Sequence, residues 1–202
     1  AKGASVTDMK EFYHFYYDRP CPEPLRDITS QTFEQLFKLA SSILIMLESA
    51  CPEEIRSKLS RPLEAMISRQ NTLFRIIHYP PMGQCFKPKA LRAAPHEDIN
   101  LITILPADTA EGLEVLDQQN NWVPIKFKPN QCVLNIGDML QECTDGYFKS
   151  TKHRVVNPED KDESRYSMPL FLHPHDDVVL SKRYIAREYL SERLKEIGLE
   201  KA

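Results

Sequence analysis

His96-Glu97-Asp98 is followed far along the chain by an isolated His153, and then by Arg165-Tyr166-Ser167. Residues two apart in an extended backbone share a face, so His96 and Asp98 can point the same way. His153, from a distant strand, adds a third ligand. Two imidazoles and one carboxylate form the facial triad of non-haem ferrous iron, which leaves three coordination positions open. As a spacing pattern alone it also suits other divalent metals. Arg165 and Ser167, again two apart, could hold the far carboxylate of a dicarboxylic co-substrate. The spacing reads as an oxygenase.

Other metal readings are weaker. The helical zinc-hydrolase motif H-E-x-x-H requires a histidine where the chain has Asn100, and Pro95 disfavours a helix at His96. His173-Pro174-His175 is a second pair of potential ligands, but no carboxylate from another strand accompanies it. His-x-Asp is common by chance. It gains weight because it directly precedes the apolar run Ile99 to Leu105, because His153 opens another strand, and because Arg165-x-Ser167 opens a third.

The elements that must position these residues follow from periodicity. Thr29 to Ser49 carries Phe33, Leu36, Phe37, Ala40, Leu44 and Leu47 at helical spacing. Pro52 ends that helix and opens a second, interrupted at Pro62. From Leu73 the pattern becomes short strands: Leu73–Tyr79, Asn100–Leu105, Gly112–Leu116, Trp122–Phe127, Cys132–Ile136, His153–Val156 and Ser164–Leu172. Asp117 to Asn121 is the loop of a hairpin. Pro80 to Pro95 is a long loop, and Ser181 caps a final helix reaching about Ile197. The expectation is a mainly β protein with bracing helices (α+β), a sandwich or jelly roll. Residues 1–72 form a helical brace, 73–181 the jelly-roll core and 182–202 its C-terminal helix.

The chain has 202 residues, 42% hydrophobic and 27% charged, with net charge −3. That balance gives no general attraction to nucleic acid or an anionic membrane, and no apolar run approaches the ~20 residues of a membrane helix. Five cysteines, odd in number and without a C-x-x-C pair, argue against a disulfide framework and for a cytoplasmic protein. No export signal is evident.

Four stretches carry a resemblance: IIHYPP (Ile76–Pro81), HEDINLITIL (His96–Leu105), LNIGDMLQECTDGYFKSTKHRVVNP (Leu134–Pro158) and RYSMPLFLHP (Arg165–Pro174). In this order they resemble the Fe(II)- and 2-oxoglutarate-dependent dioxygenases of the isopenicillin N synthase-like family, across about half the chain. The resemblance implies a distorted double-stranded β-helix (a cupin-like jelly roll). It implies that His96, Asp98 and His153 bind iron, that Arg165 and Ser167 bind the distal carboxylate of 2-oxoglutarate, and that Tyr79 adds a hydrogen bond there. A guanidinium fork suits that carboxylate. Gly137-Asp138 and Asn157-Pro158 match the family too and are read as turn and scaffold positions. Phe86 and Phe171 are read as packing residues.

The implied reaction couples oxidative decarboxylation of 2-oxoglutarate by dioxygen to hydroxylation, desaturation or ring closure of a small organic substrate. Two alternatives stand beside it: an isopenicillin N synthase-type oxidase that does not use 2-oxoglutarate, and a non-catalytic jelly-roll binding module. Family members usually run longer at the N-terminus, so the chain is expected to be a fragment.

Overall fold

The computed structural model describes residues 8–81, 91–106, 111–128, 130–157 and 163–198. Helix α1, Glu23–Ala50, starts six residues before Thr29, where the helical spacing was expected to begin. Pro22 and Pro24 belong at a helix start, where no N–H is required of them, so the polar opening turn adds length without burying a face. Thr29 is therefore inside the helix and buried. Cys51, extended because Pro52 follows it, ends the helix. Two short turns of helix follow, α2 (Glu53–Arg56) and α3 (Leu63–Met66), the second opened by Pro62.

Ten strands make two sheets among the described residues. They are β1 (Glu11–Phe15), β2 (Leu73–Tyr79), β3 (Ala93–His96), β4 (Ile102–Pro106), β5 (Leu113–Leu116), β6 (Trp122–Pro124), β7 (Cys132–Ile136), β8 (His153–Val155), β9 (Arg165–Ser167) and β10 (Leu170–Leu172). The larger sheet runs β1-β2-β10-β4-β7, with β9 also paired to β2; the smaller runs β3-β8-β5-β6. Every pairing is antiparallel. Helix α4 (Asp138–Cys143) follows β7, and α5 (Ala186–Glu196) closes the described chain.

Several elements differ from expectation for local reasons. The first 72 residues, expected to be helical, also contribute the edge strand β1. The expected strand Ser164–Leu172 is two strands, because Pro169 has no N–H for the ladder. Ser181 does not cap α5: its Oγ accepts from the Arg183 N–H in a local turn, and the helix starts behind Ile185. Strand β3 lies inside the stretch read as a loop, since Pro95 is tolerated on the edge of the smaller sheet. Phe86 lies outside the described residues, as do Cys85 and Pro158.

Strand alternation separates two packing faces. Phe74, Ile102, Ile104, Leu170 and Leu172 turn outward onto Phe33, Phe37, Ala40 and Leu44 of α1. Burying each such side chain stabilises by about 1.5–3 kcal/mol, so this face carries the brace. Ile77 and Tyr79 turn the other way and meet Ala93, Leu113 and Val155 of the smaller sheet. The space between the sheets is thus lined by one face of each.

Candidate metal centre and carboxylate pocket

His96 ends β3 and His153 begins β8, and the two are directly paired across the ladder, with ring centres 4.3 Å apart. Asp98 follows in the link from the smaller sheet to β4 of the larger one. Its Oδ1 lies 3.8 Å from Nε2 of both His96 and His153. Among the described residues this is the one group of three or more potential metal ligands, with donor atoms all within 4.8 Å of one another.

The far side of each candidate ligand is already committed. His96 Nδ1 lies 2.8 Å from the Ala94 carbonyl and His153 Nδ1 3.0 Å from that of Thr151. A carbonyl only accepts, so both Nδ1 atoms carry a proton and both Nε2 atoms face inward. Asp98 Oδ2 accepts from Thr103 Oγ1 at 2.6 Å and from Asn135 Nδ2 at 2.9 Å, leaving Oδ1 to the histidines. Thr103 in turn accepts from Asn100 Nδ2 at 2.8 Å. Thr103 and Asn135 are cross-strand partners on β4 and β7.

Electrostatics suit a cation. Burial, then the neighbouring His153, lowers the His96 pKa to about 4, so the ring is neutral and free to ligate near neutral pH. Burial would raise that of Asp98, but the two imidazoles and the bonds from Thr103 and Asn135 hold it below the ordinary carboxylate range. Two imidazoles and one carboxylate with converging donor atoms fit ferrous iron.

The backbone behind the triad is equally constrained. Asp138 N–H donates to the Asp98 carbonyl at 2.8 Å and Met139 N–H to that of Asn100 at 3.0 Å. Gly137 lies so close that a Cβ there would stand 2.1 Å from Asn100 Oδ1 and 2.2 Å from its carbonyl oxygen. The scaffold reading of Gly137-Asp138 thus has a physical content: they clamp the loop that carries Asp98.

Arg165 and Ser167 face the same interior from β9. Arg165 pairs with Tyr79 and Ser167 with Ile77. Arg165 is 1% exposed, and its guanidinium carbon lies 4.9 Å from the centre of the Tyr79 ring. The buried Arg92 lies 6.0 Å from the same ring, its guanidinium donating to the Glu163 carbonyl and its N–H to Asn157 Oδ1 at 3.0 Å. His173 does not join the triad; it is partly buried, with Nδ1 3.0 Å from the Phe171 carbonyl.

Sequence reasoning missed Thr103, Asn135, Asn100 and Arg92. A signal was present for two of them: Thr103 and Asn135 are polar residues at inward positions of otherwise apolar strands.

Residues 70–174, just over half of the chain, match the model of the 2OG-Fe(II) oxygenase superfamily. The chain belongs to that superfamily. It is 30% identical to gibberellin 2-beta-dioxygenase 3 of Arabidopsis thaliana over 77% of its own length and 45% of that protein's. A Shewanella oneidensis crystal structure to which an oxygenase function is ascribed matches 98% of this chain and 74% of that one, with TM-score 0.88 and 50% identity. A structure of JOX2 in complex with 2OG, Fe and JA matches 88% of this chain and 53% of that one, with TM-score 0.69 and 29% identity. The fold is the double-stranded β-helix of these 2OG oxygenases. The chain spans about half or less of the length of several curated relatives, 33% in the case of a 2-oxoglutarate-dependent dioxygenase of Didymella fabae. No described helix is long and apolar enough to cross a membrane.

Proposed function

We propose that the chain is the catalytic part of an Fe(II)- and 2-oxoglutarate-dependent dioxygenase, in which His96, Asp98 and His153 hold the iron. The observation that carries this reading is the convergence of Nε2, Nε2 and Oδ1, each fixed by a bond on its far side. Arg165 and Ser167 bind the distal carboxylate of 2-oxoglutarate, and Tyr79 closes the same pocket. Their burial supports the role, because a charged pair gains strength where water is excluded.

Bound iron would supply the oxidising step: one oxygen atom of O2 goes to 2-oxoglutarate, giving succinate and carbon dioxide, and the other serves to oxidise a C–H bond of a small organic substrate. The chain's own residues set the geometry. Thr103 and Asn135 restrict Asp98 to one ligating oxygen, the two backbone carbonyls fix the imidazole tautomers, and Arg165 orients the co-substrate. The unpaired thiols Cys21, Cys51, Cys132 and Cys143 support a reducing, cytoplasmic setting.

The test is aerobic succinate release from 2-oxoglutarate with added ferrous iron. The chain should release succinate, and His96→Ala and Asp98→Ala should abolish it. Equal release by either variant contradicts the assignment.

A further inference from the structure

Besides Arg165 and Arg92, a further guanidinium lies on the interior face of β2 itself. Arg75 alternates with Ile77 and Tyr79, and its Nε donates to His14 Nε2 at 2.9 Å. Its guanidinium carbon lies 4.9 Å from the centre of the Phe171 ring and 5.2 Å from that of Phe12. Among the described residues it has no carboxylate at ion-pairing distance. Burial acts to lower its pKa, with Asp98, Tyr16 and Tyr79 opposing at longer range.

A guanidinium stays charged in a protein, so this is a cation partly withdrawn from water and, among the described residues, without an anion. Its polar neighbour does not compensate it. Burial, and then the charge of Arg75, lower the His14 pKa to about 4, so near neutral pH the imidazole is a neutral acceptor. His14 engages only Nε–H, and the Nη1–Nη2 edge, the fork that grips a carboxylate, has no protein acceptor among the described residues. The bland reading is a cation stacked on aromatic rings to join β1 to β2. That reading uses the faces of the guanidinium and leaves its fork unexplained.

Position separates this cation from the co-substrate pocket. At about 3.3 Å per residue, Arg75 lies roughly 13 Å along β2 from Tyr79, which neighbours Arg165. Phe171, beneath Arg75, is the cross-strand partner of Thr103, whose hydroxyl holds Asp98. Phe12, at the other flank, is 53% exposed on the edge strand β1.

Building on the iron-centre reading above, we propose that Arg75, oriented by His14 and flanked by Phe12 and Phe171, anchors a carboxylate of the primary substrate. The substrate class is then a small organic acid with an apolar body. The body lies along Phe171 toward the iron, and the acid end lies away from Arg165.

The experiment uses the iron- and 2-oxoglutarate-loaded protein without oxygen. The probes are 4-phenylbutyrate, cinnamate and decanoate, each against its primary amide, with affinity read by calorimetry. At least one acid should bind on the order of 10- to 100-fold more tightly than its amide, the range for a hydrogen-bonded charge. Arg75→Gln should collapse that ratio toward one, and Arg75→Lys should keep part of it. His14→Phe, a positioning change, should reduce the ratio in the wild-type background and have no further effect beside Arg75→Gln. Thermal melting of each variant reports folding. An acid-to-amide ratio near one for all three pairs, or a ratio that survives Arg75→Gln in a folded variant, overturns the proposal. If the acids are preferred but the loaded protein shows no iron–2-oxoglutarate absorption, the anchor stands and the iron reading fails.

Discussion

Thr103 Oγ1 donates to Asp98 Oδ2 at 2.6 Å while accepting from Asn100 Nδ2 at 2.8 Å, so a hydroxyl on β4 decides which carboxylate oxygen faces the two histidines. Thr103→Val keeps the shape, leaves Oδ2 held by Asn135 alone and strands the Asn100 amide. Groups that orient metal ligands typically change affinity by about 10–100-fold. A chelator-competition titration should therefore show ferrous iron bound that much more weakly by Thr103→Val, and Thr103→Ser should retain most of the affinity.

Gly137 is needed for space. With a Cβ placed 2.2 Å from the Asn100 carbonyl oxygen, Gly137→Ala must push back the backbone that carries Asp98 and Thr103. Overpacking of this kind costs about 1–3 kcal/mol. Urea unfolding should show that loss, and the same variant should bind iron more weakly. An unchanged urea midpoint would mean that the loop yields freely.

Arg165 should act on co-substrate binding more than on turnover. Arg165→Ala removes the charge that faces the pocket from β9, so the 2-oxoglutarate KM should rise by roughly 10- to 100-fold, as expected for a lost charge-assisted bond. The change in kcat at saturation should be smaller. If KM for 2-oxoglutarate stays put, the carboxylate is held elsewhere.

Acid should destabilise the metal-free chain within a defined window. The His96 and His14 pKa values are each lowered to about 4, with burial the leading cause, against about 6.5 in an unfolded chain. Between those values the unfolded state binds more protons, so stability falls as pH drops from about 6.5 to 4. Above that window these groups add no pH dependence. His173, also lowered by burial, acts in the same direction. Urea midpoints at pH 7.5, 5.5 and 4.5 should decline in that order, and proton competition should release bound iron over the same range.

The grouping of His96, Asp98 and His153 was legible because its chemistry has a spacing. His96 and Asp98 are two apart, and His153 opens a strand whose ladder partner is His96. Polarity on an apolar strand marked Thr103 and Asn135, but not what they hold, since a hydrogen bond between Asn135 and Asp98 has no fixed separation along the chain. Only the fold brings β7 beside β4 and both beneath the link carrying Asp98. Strand β2 was readable to its ends, an apolar run bounded by Pro80, whereas β1 was missed. Its five residues pair with β2 through a register that no local pattern encodes. Arg75 went unnoticed for the same reason: its meaning depends on His14 across that register and on Phe171 from a third strand.

The most direct measurement is the visible spectrum of the chain under nitrogen, first with ferrous iron and then with 2-oxoglutarate. The account predicts a weak charge-transfer band on adding 2-oxoglutarate, absent in Asp98→Ala and shifted to higher 2-oxoglutarate concentration in Arg165→Ala. No band in the folded, iron-loaded wild-type chain at saturating 2-oxoglutarate would contradict it.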